Sequence, residues 1–283
     1  NLAADGQVLP IVVCYEHSRE VLLHRLLCME SIANPDDPAP EGVTRAEIER
    51  AVLEYYDAHR ETEARRQLNL DWLMRRLPRL EQSWLRLGRY MERLWLVHGD
   101  GTRTTTEWLH EYVRLAQETT PYKRVLLIVD YAQRVPVPPL LNLAGLDWAG
   151  RIDFVMRALK GLATSLGVPV LAVAAADADG LRQQRVHFEN LWGPATVQYE
   201  PDVALIVNRD TADASGEART VRVAIEKNRN GPSEVEFRHR LHGAYYCISR
   251  RGDRVSGEES YQTERVELRR RQGAARPGLD PTL

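Results

Sequence analysis

Two rhythms of apolar and polar positions run along this chain. Residues 8 to 15, Val-Leu-Pro-Ile-Val-Val-Cys-Tyr, form a short unbroken apolar run suited to a buried strand, which Glu16-His17-Ser18 ends sharply. Ser18 can cap the next helix, where Val21, Leu22, Leu26 and Met29 make an apolar stripe. Pro35 to Pro40 reads as a loop. Thr44 and Glu47 have capping-box spacing, and the pattern stays helical to about Leu96, with Pro78 separating two helices. Trp72, Leu73, Leu77, Leu80, Trp84, Leu87, Met91 and Leu94 form a stripe predicted to pack on a core. Thr106 can cap a helix through about Gln117, and residues 125 to 130 form a second buried strand ending in Asp130. A helix from about Trp148 to Leu166 leads into an apolar strand from Val168 to Ala174. Strand patterns recur at 203 to 207, 221 to 226, 234 to 240 and 244 to 248. Strands parted by helices early and hairpins late predict an α/β fold: a mainly parallel sheet with an antiparallel edge.

Composition narrows the classes. The chain has 283 residues, 43% apolar and 28% charged, enough for one large or two modest domains with a real core. No run approaches the roughly 18 apolar residues of a membrane span. A net charge of −2 and a pI of about 6.5 exclude a global basic field, so any nucleic-acid contact is local. Cys14, Cys28 and Cys247 are widely spaced and odd in number, which argues against a disulfide framework or a zinc site and for a cytoplasmic location. Leu2-Ala3-Ala4-Asp5-Gly6 reads as the last turn of a helix and its terminating glycine, as in a fragment with an upstream part. Beyond about Arg251 the chain is rich in Arg, Glu, Gly and Pro and reads as linker or surface, with Arg269-Arg270-Arg271 a weak polyanion candidate.

The most informative stretch is Val221-Arg222-Val223-Ala224-Ile225-Glu226-Lys227-Asn228-Arg229-Asn230-Gly231-Pro232. Lysine occurs only at 123, 160 and 227, so a lysine here is not an idle choice. Positions 227 and 229 share one face of an extended segment, and Asn230-Gly231-Pro232 turns the chain back, so two cations can be aimed at one anion. Arginine offers a planar fork of donors and lysine a compact charge, which suits phosphate; the bland alternative is an exposed hairpin with two solvated charges. Asp130 falls at the carboxyl end of a central strand, where open α/β sheets place ligands, and a carboxylate there can hold magnesium. Glu16 takes the equivalent place after the earlier strand and can orient or deprotonate a water. Taken singly, Asp130 also reads as a turn starter and Glu16 as a surface residue beside a helix cap.

These segments carry a family resemblance in order along residues 1 to 248. Val-Asp-Tyr-Ala-Gln at 129 to 133 resembles the Walker B segment of DnaB-type replicative helicases, a branch of the RecA-like ATPases. Tyr15-Glu16-His17-Ser18 with Arg25-Leu26-Leu27 resembles the segment holding that family's catalytic glutamate, and Leu159 to Ala163 running into Val168-Pro169-Val170 resembles its following helix and strand. Glu200-Pro201-Asp202-Val203 resembles its acidic pair, and Lys227 to Pro232 its arginine-finger hairpin. The resemblance implies a RecA-like ATPase domain over 1 to 250 with a helical insertion at about 41 to 96, then a tail over 251 to 283. It further implies ATP and Mg2+ bound between subunits of a ring or filament, most simply a hexamer. In it Asp130 serves magnesium, Glu16 activates water, Lys227 and Arg229 reach the γ-phosphate on the neighbouring protomer, and Gln133 relays between nucleotide and central channel.

Three departures qualify this. No G-x-x-x-x-G-K-[ST] loop occurs; in the family it comes one helix before the first strand, which puts it upstream of Asn1. Ala174-Ala175-Ala176 stands where the family has a polar sensor, and Trp192 where it tends to have an Arg. The expected DNA-tracking stretch, 177 to 193, offers Arg182 and Arg185 against Asp177, Asp179 and Glu189. The expectation is therefore a helicase or DNA-translocating motor acting on single-stranded DNA. Its rival is a non-helicase relative that oligomerises and binds protein partners through 41 to 96, and a filament-forming recombination ATPase resembling RadA comes third.

Overall fold

The computed structural model describes residues 7–60, 68–140, 145–183, 185–210 and 220–256. The readings of Leu2 to Gly6 and of the arginines at 269 to 271 lie outside the described residues.

Four parallel strands make the central sheet: β1 (Val8–Cys14), β2 (Trp95–His98), β3 (Arg124–Asp130) and β4 (Val170–Ala172), in the order β2-β1-β3-β4. β1 and β3 run in full register from Val8 opposite Arg124 to Cys14 opposite Asp130. Parallel strands must be joined by crossovers, and helices supply them. α1 (Arg19–Ser31) starts where Ser18 caps the Val21 amide, and α5 (Thr106–Thr119) is capped by Thr105, one residue earlier than the pattern predicts. Helix α6 (Trp148–Leu166) is capped by Asp147 and closed by Gly167 at φ 64°, where a side chain would be strained. Leu9, Ile11 and Val13 of β1 join Val125, Leu127 and Val129 of β3, Leu109 and Val113 of α5, and Val155 and Leu159 of α6 in one buried core.

The helices within 41 to 96 share a second core with α1. Thr44 and Glu47 form the expected capping box on α2 (Arg45–Ala58), and Pro78 opens α4 (Pro78–Gly88) directly after α3 (Leu70–Arg76). Leu73, Leu80 and Leu87 of the predicted stripe bury against Leu27 and Cys28 of α1, with Trp72, Leu77, Trp84 and Leu94 packed around them, while Met91 stays exposed. The helical pattern stops short of Leu96, because Trp95 to His98 pair with Ile11 to Cys14 as β2. Four residues that run straight on from the apolar Leu94 carry no period of their own, which is why the strand reads as a helix end.

The antiparallel strands are not an edge of the central sheet. β5 (Val203–Arg209), β6 (Thr220–Asn228) and β7 (Val235–His242) form a second sheet, with β8 (Cys247–Ile248) and β9 (Asp253–Arg254) pairing β7. The Asn230-Gly231-Pro232 turn does join a hairpin, with Ile225 opposite Val235. Polarity in this sheet is inverted. Asn208, Arg222, Glu226 and Glu236 are buried, while Val203, Leu205 and Val207 on the other face of β5 are 50%, 52% and 63% exposed. Leu171 and Val173 at β4 are exposed as well. Among the described residues no helix is long and apolar enough to cross a membrane.

Leu127 is fully buried at the centre of β3 and Leu53 on α2 is 65% exposed. Leu127→Ala is expected to cost about 3 kcal/mol in urea unfolding through the cavity it leaves, and Leu53→Ala less than about 0.5 kcal/mol.

Candidate functional site

The full register of β1 with β3 delivers two carboxylates to one edge of the sheet. Asp130 ends β3 opposite Cys14, and the chain continues from Cys14 through Tyr15 to an exposed Glu16. The Tyr15 amide donates to the Asp130 carbonyl at 2.8 Å, so the two strand ends stay zipped beyond the ladder. The Cys14 thiol donates to Asp130 Oδ2 at 3.3 Å and accepts from the His17 amide at 3.3 Å. Burial raises the Cys14 pKa, and the adjacent Asp130 carboxylate adds to the rise, so the sulfur stays protonated and keeps its donor role. One oxygen of Asp130 is thus anchored, and the other makes no hydrogen bond among the described residues.

The turn after β1 is braced from several directions. Tyr15 donates its hydroxyl to the Thr104 carbonyl at 2.7 Å, and its ring lies against Gly99, where a Cβ would come within 2.5 Å of it. Only glycine fits that approach. The Gly99 amide donates to the Cys14 carbonyl at 2.8 Å, Arg25 Nη2 lies 2.9 Å from His17 Nε2, and His98 Nδ1 lies 3.2 Å from the His17 carbonyl. Backbone is fixed on both sides of Glu16 while its carboxylate faces solvent.

Gln133 works as a strap. Its amide nitrogen donates to the carbonyls of Trp192 at 2.9 Å and Ala175 at 3.3 Å, and its oxygen accepts from the Ala175 amide at 3.2 Å. The polar contact that the alanine run lacks in its side chains is made by its backbone. Trp192 stacks on Trp148 with ring centroids 4.3 Å apart, each indole remaining 40% exposed. Of the two arginines expected to face a polyanion, Arg182 does lie open, 79% exposed beside Asp179. Arg185 does not: it is buried in an ion pair with Glu236. The reason is the inverted sheet, whose inward carboxylates draw a cation inward rather than leave it in water.

Lys227 and Arg229 both turn toward residues 198 to 202. Lys227 Nζ donates to the carbonyls of Gln198 at 2.8 Å and Tyr199 at 3.0 Å, at the end of the short helix α7 (Thr196–Tyr199), and stands 5.9 Å from the Phe188 ring centroid. Arg229 pairs with Asp202 at 2.8 Å, and Asp202 also takes Lys160 at 2.6 Å. The Lys160 bond lowers the Asp202 pKa, and burial, with Arg229 close by, lowers that of Lys227. Both partners of the Arg229 pair are about half exposed, so water screens it and little holds it shut. Among the described residues no hydrogen bond or ion pair joins Lys227 or Arg229 to Glu16 or Asp130, which stand on the other sheet.

Sequence reasoning missed the Cys14 thiol on Asp130 and the whole buried polar layer of the second sheet. The layer's one signal was that Arg222 and Glu226 share one face of their strand and Glu236 follows on the next, a pattern that ordinarily marks the solvent face. Among the described residues no cluster of three or more His, Cys, Asp or Glu could hold a metal by itself. A lone carboxylate with one free oxygen fits magnesium, which keeps several waters and takes other ligands from phosphate.

A family model for the DnaB-like helicase C-terminal domain matches residues 1–243. Among solved structures, the ATPase domain of G40P is 18% identical with a TM-score of 0.65, the match covering 87% of this chain and 75% of that one. A DnaB-like replicative helicase, solved in a study of its interactions with primase, is 17% identical with a TM-score of 0.65. That match covers 87% of this chain and 52% of the helicase, so the chain spans about half that relative's length. No curated protein matches the chain.

Glu236 is 1% exposed between Arg185 and Arg222. Glu236→Gln removes the buried charge that Arg185 and Arg222 share and is expected to cost about 3 kcal/mol, read as a lower midpoint in urea unfolding.

Proposed function

Because the chain belongs to the DnaB-like helicase C-terminal domain family, we propose that it is the ATP-hydrolysing motor domain of a helicase or DNA translocase, acting as an oligomer with ATP at its subunit interfaces. The observation that carries this reading is the β1–β3 register, which sets Glu16 and Asp130 on the same carboxyl edge of a parallel sheet, one anchored and one exposed.

In this reading Asp130 holds magnesium through the oxygen that Cys14 leaves free. Bound magnesium neutralises phosphate oxygens as charge shifts in phosphoryl transfer. Glu16 accepts a proton from, or orients, the attacking water, and the braced backbone on either side of it gives its carboxylate a defined place. Lys227 and Arg229 act across the interface, on the γ-phosphate bound by the neighbouring protomer. Their distance from Glu16 in sheet topology favours action in trans, and the screened Arg229–Asp202 pair can open at little cost. Gln133 carries changes at the Walker B end into the segments around Ala175 and Trp192.

A second reading has an observation in its favour. Arg185 is committed to Glu236, so of the two arginines expected on the DNA-tracking stretch only Arg182 is open, a thin electrostatic footing for a DNA track. A non-helicase ATPase or scaffold, docking partners through the α2–α4 insertion, needs no such track.

The deciding experiment is magnesium-dependent ATP hydrolysis by the protein in its natural full-length context, with and without single-stranded DNA. Stimulation by DNA supports the motor; steady hydrolysis indifferent to DNA moves the assignment to the scaffold, and an intact oligomer that hydrolyses nothing sinks both. Arg229→Ala is expected to lower kcat about a thousandfold with ATP affinity preserved, since an arginine finger acts on the transition state. Glu16→Gln is expected to lower kcat by about a hundredfold or more, again with binding intact.

A further inference from the structure

Glu226 is a carboxylate on a central strand, 8% exposed, and it takes no part in the chemistry proposed above. Its oxygens are spent on the segment that follows β4. Oε2 accepts from the Phe188 amide at 2.8 Å, and Oε1 lies 3.3 Å from His187 Nδ1. Immediately before this, the Val186 amide donates to Asn208 Oδ1 and the Asn208 amide nitrogen donates to the Val186 carbonyl, both at 2.8 Å. Residues 185 to 188 therefore lie on the second sheet, held through side chains rather than through a ladder.

The segment's other end is tied to the first sheet. The Asp177 amide donates to the Asn190 carbonyl at 2.8 Å, the Trp192 amide to the Ala175 carbonyl at 2.9 Å, and Gln133 grips both Ala175 and Trp192. Glu226 itself is the residue before Lys227, whose ammonium faces the Phe188 ring. Gln133, three residues past Asp130, thus grips Ala175 and Trp192, and Phe188 meets Glu226 and Lys227; between them the chain turns through the Leu191 amide, which donates to the Phe188 carbonyl at 3.4 Å.

We infer that Glu226, with His187 as its partner, is a positioning residue that makes residues 185–190 move with the strand carrying Lys227 and Arg229. Nucleotide contacts at those two cations then reach the loop segment bearing Arg182 through a buried carboxylate, supplying the link that Ala175 cannot make with its side chain. An apolar residue at 226 would leave the Phe188 amide and His187 without this acceptor and the segment free of the strand. The inference rests on the ATPase reading for its purpose, though not for the contact itself.

The test is amide hydrogen exchange, read by mass spectrometry on the full-length protein as wild type, Glu226→Ala and Glu226→Gln, with and without a slowly hydrolysed ATP analogue and magnesium. In the wild type, nucleotide is expected to slow exchange at 185–190 by about fivefold or more, the lower end of ordinary allosteric coupling. Glu226→Ala is expected to lose that response while analogue affinity stays within about threefold; Glu226→Gln keeps an acceptor for Phe188 and is expected to retain it. The inference falls if Glu226→Ala responds as wild type does. It falls too if the wild-type segment ignores nucleotide that changes exchange at 223–229. A protein that binds no nucleotide overturns the ATPase reading instead, and the tie is then read from Lys227→Ala. That change is expected to speed exchange at 185–190 more in the wild-type background than in Glu226→Ala, and equal effects overturn the inference.

Discussion

The pairing of β1 with β3 is the constraint on which the rest depends. Seven consecutive residue pairs in parallel register, with Leu9, Ile11 and Val13 fully buried beside Val125, Leu127 and Val129, leave no freedom to slip. A shift of one residue would turn every one of those side chains to the other face. Because the register is rigid, the chemistry at its carboxyl end is placed by the core. Asp130 must stand opposite Cys14, and the turn holding Glu16 must begin one residue later. The Cys14–Asp130 bond then converts strand register into the orientation of a single carboxylate oxygen.

The second sheet solves a different problem. Its buried face carries Asn208, Arg222, Glu226 and Glu236, a polar layer where an apolar one would cost nothing to desolvate. Charges balance locally: Arg222 bridges Asp210 and Glu236, Arg238 meets Asp210, and Arg185 and His187 arrive from the covering segment. Such a layer contributes less stability than packed aliphatic side chains, but it is selective. Residues 185 to 188 can seat in one way only, because each inward group has a named partner.

Much of the element order was legible in the sequence because its signals are local. Unbroken apolar runs at 8 to 15 and 125 to 130, the Thr44–Glu47 box, Pro78 and the Asn230-Gly231-Pro232 turn each specify structure within a few residues. The strand expected at 168 to 174 shrinks to Val170–Ala172 since Pro169 has no amide to donate, and β2 escaped because four residues cannot display a period. Of the site, Glu16 and Asp130 were readable as strand-terminal carboxylates. The burial of Arg185 was not, because it depends on which face of β6 and β7 turns inward. Alternation gives the two faces but cannot say which is covered, and here the more polar one is.

Exposure divides the candidate site by role. Glu16 and the open Arg182 stand largely in water, and Arg229 is held by a pair that water screens. Cys14, His187 and Glu226 are buried, with short contacts to backbone or charge. In the proposed reading these exposed groups meet a ligand or a neighbouring subunit; such groups cannot be spent wholly on internal bonds, yet they need defined positions to lower a barrier. The fold meets both demands by fixing the backbone on either side of each exposed group and leaving its tip free. Tyr15, Gly99 and His17 do this for Glu16, and the Arg229 amide bond to the Asp202 carbonyl fixes the backbone at Arg229, while Lys227 spends its ammonium on the carbonyls of 198 and 199. Loosening a buried supporter should therefore displace an exposed group without touching its chemistry.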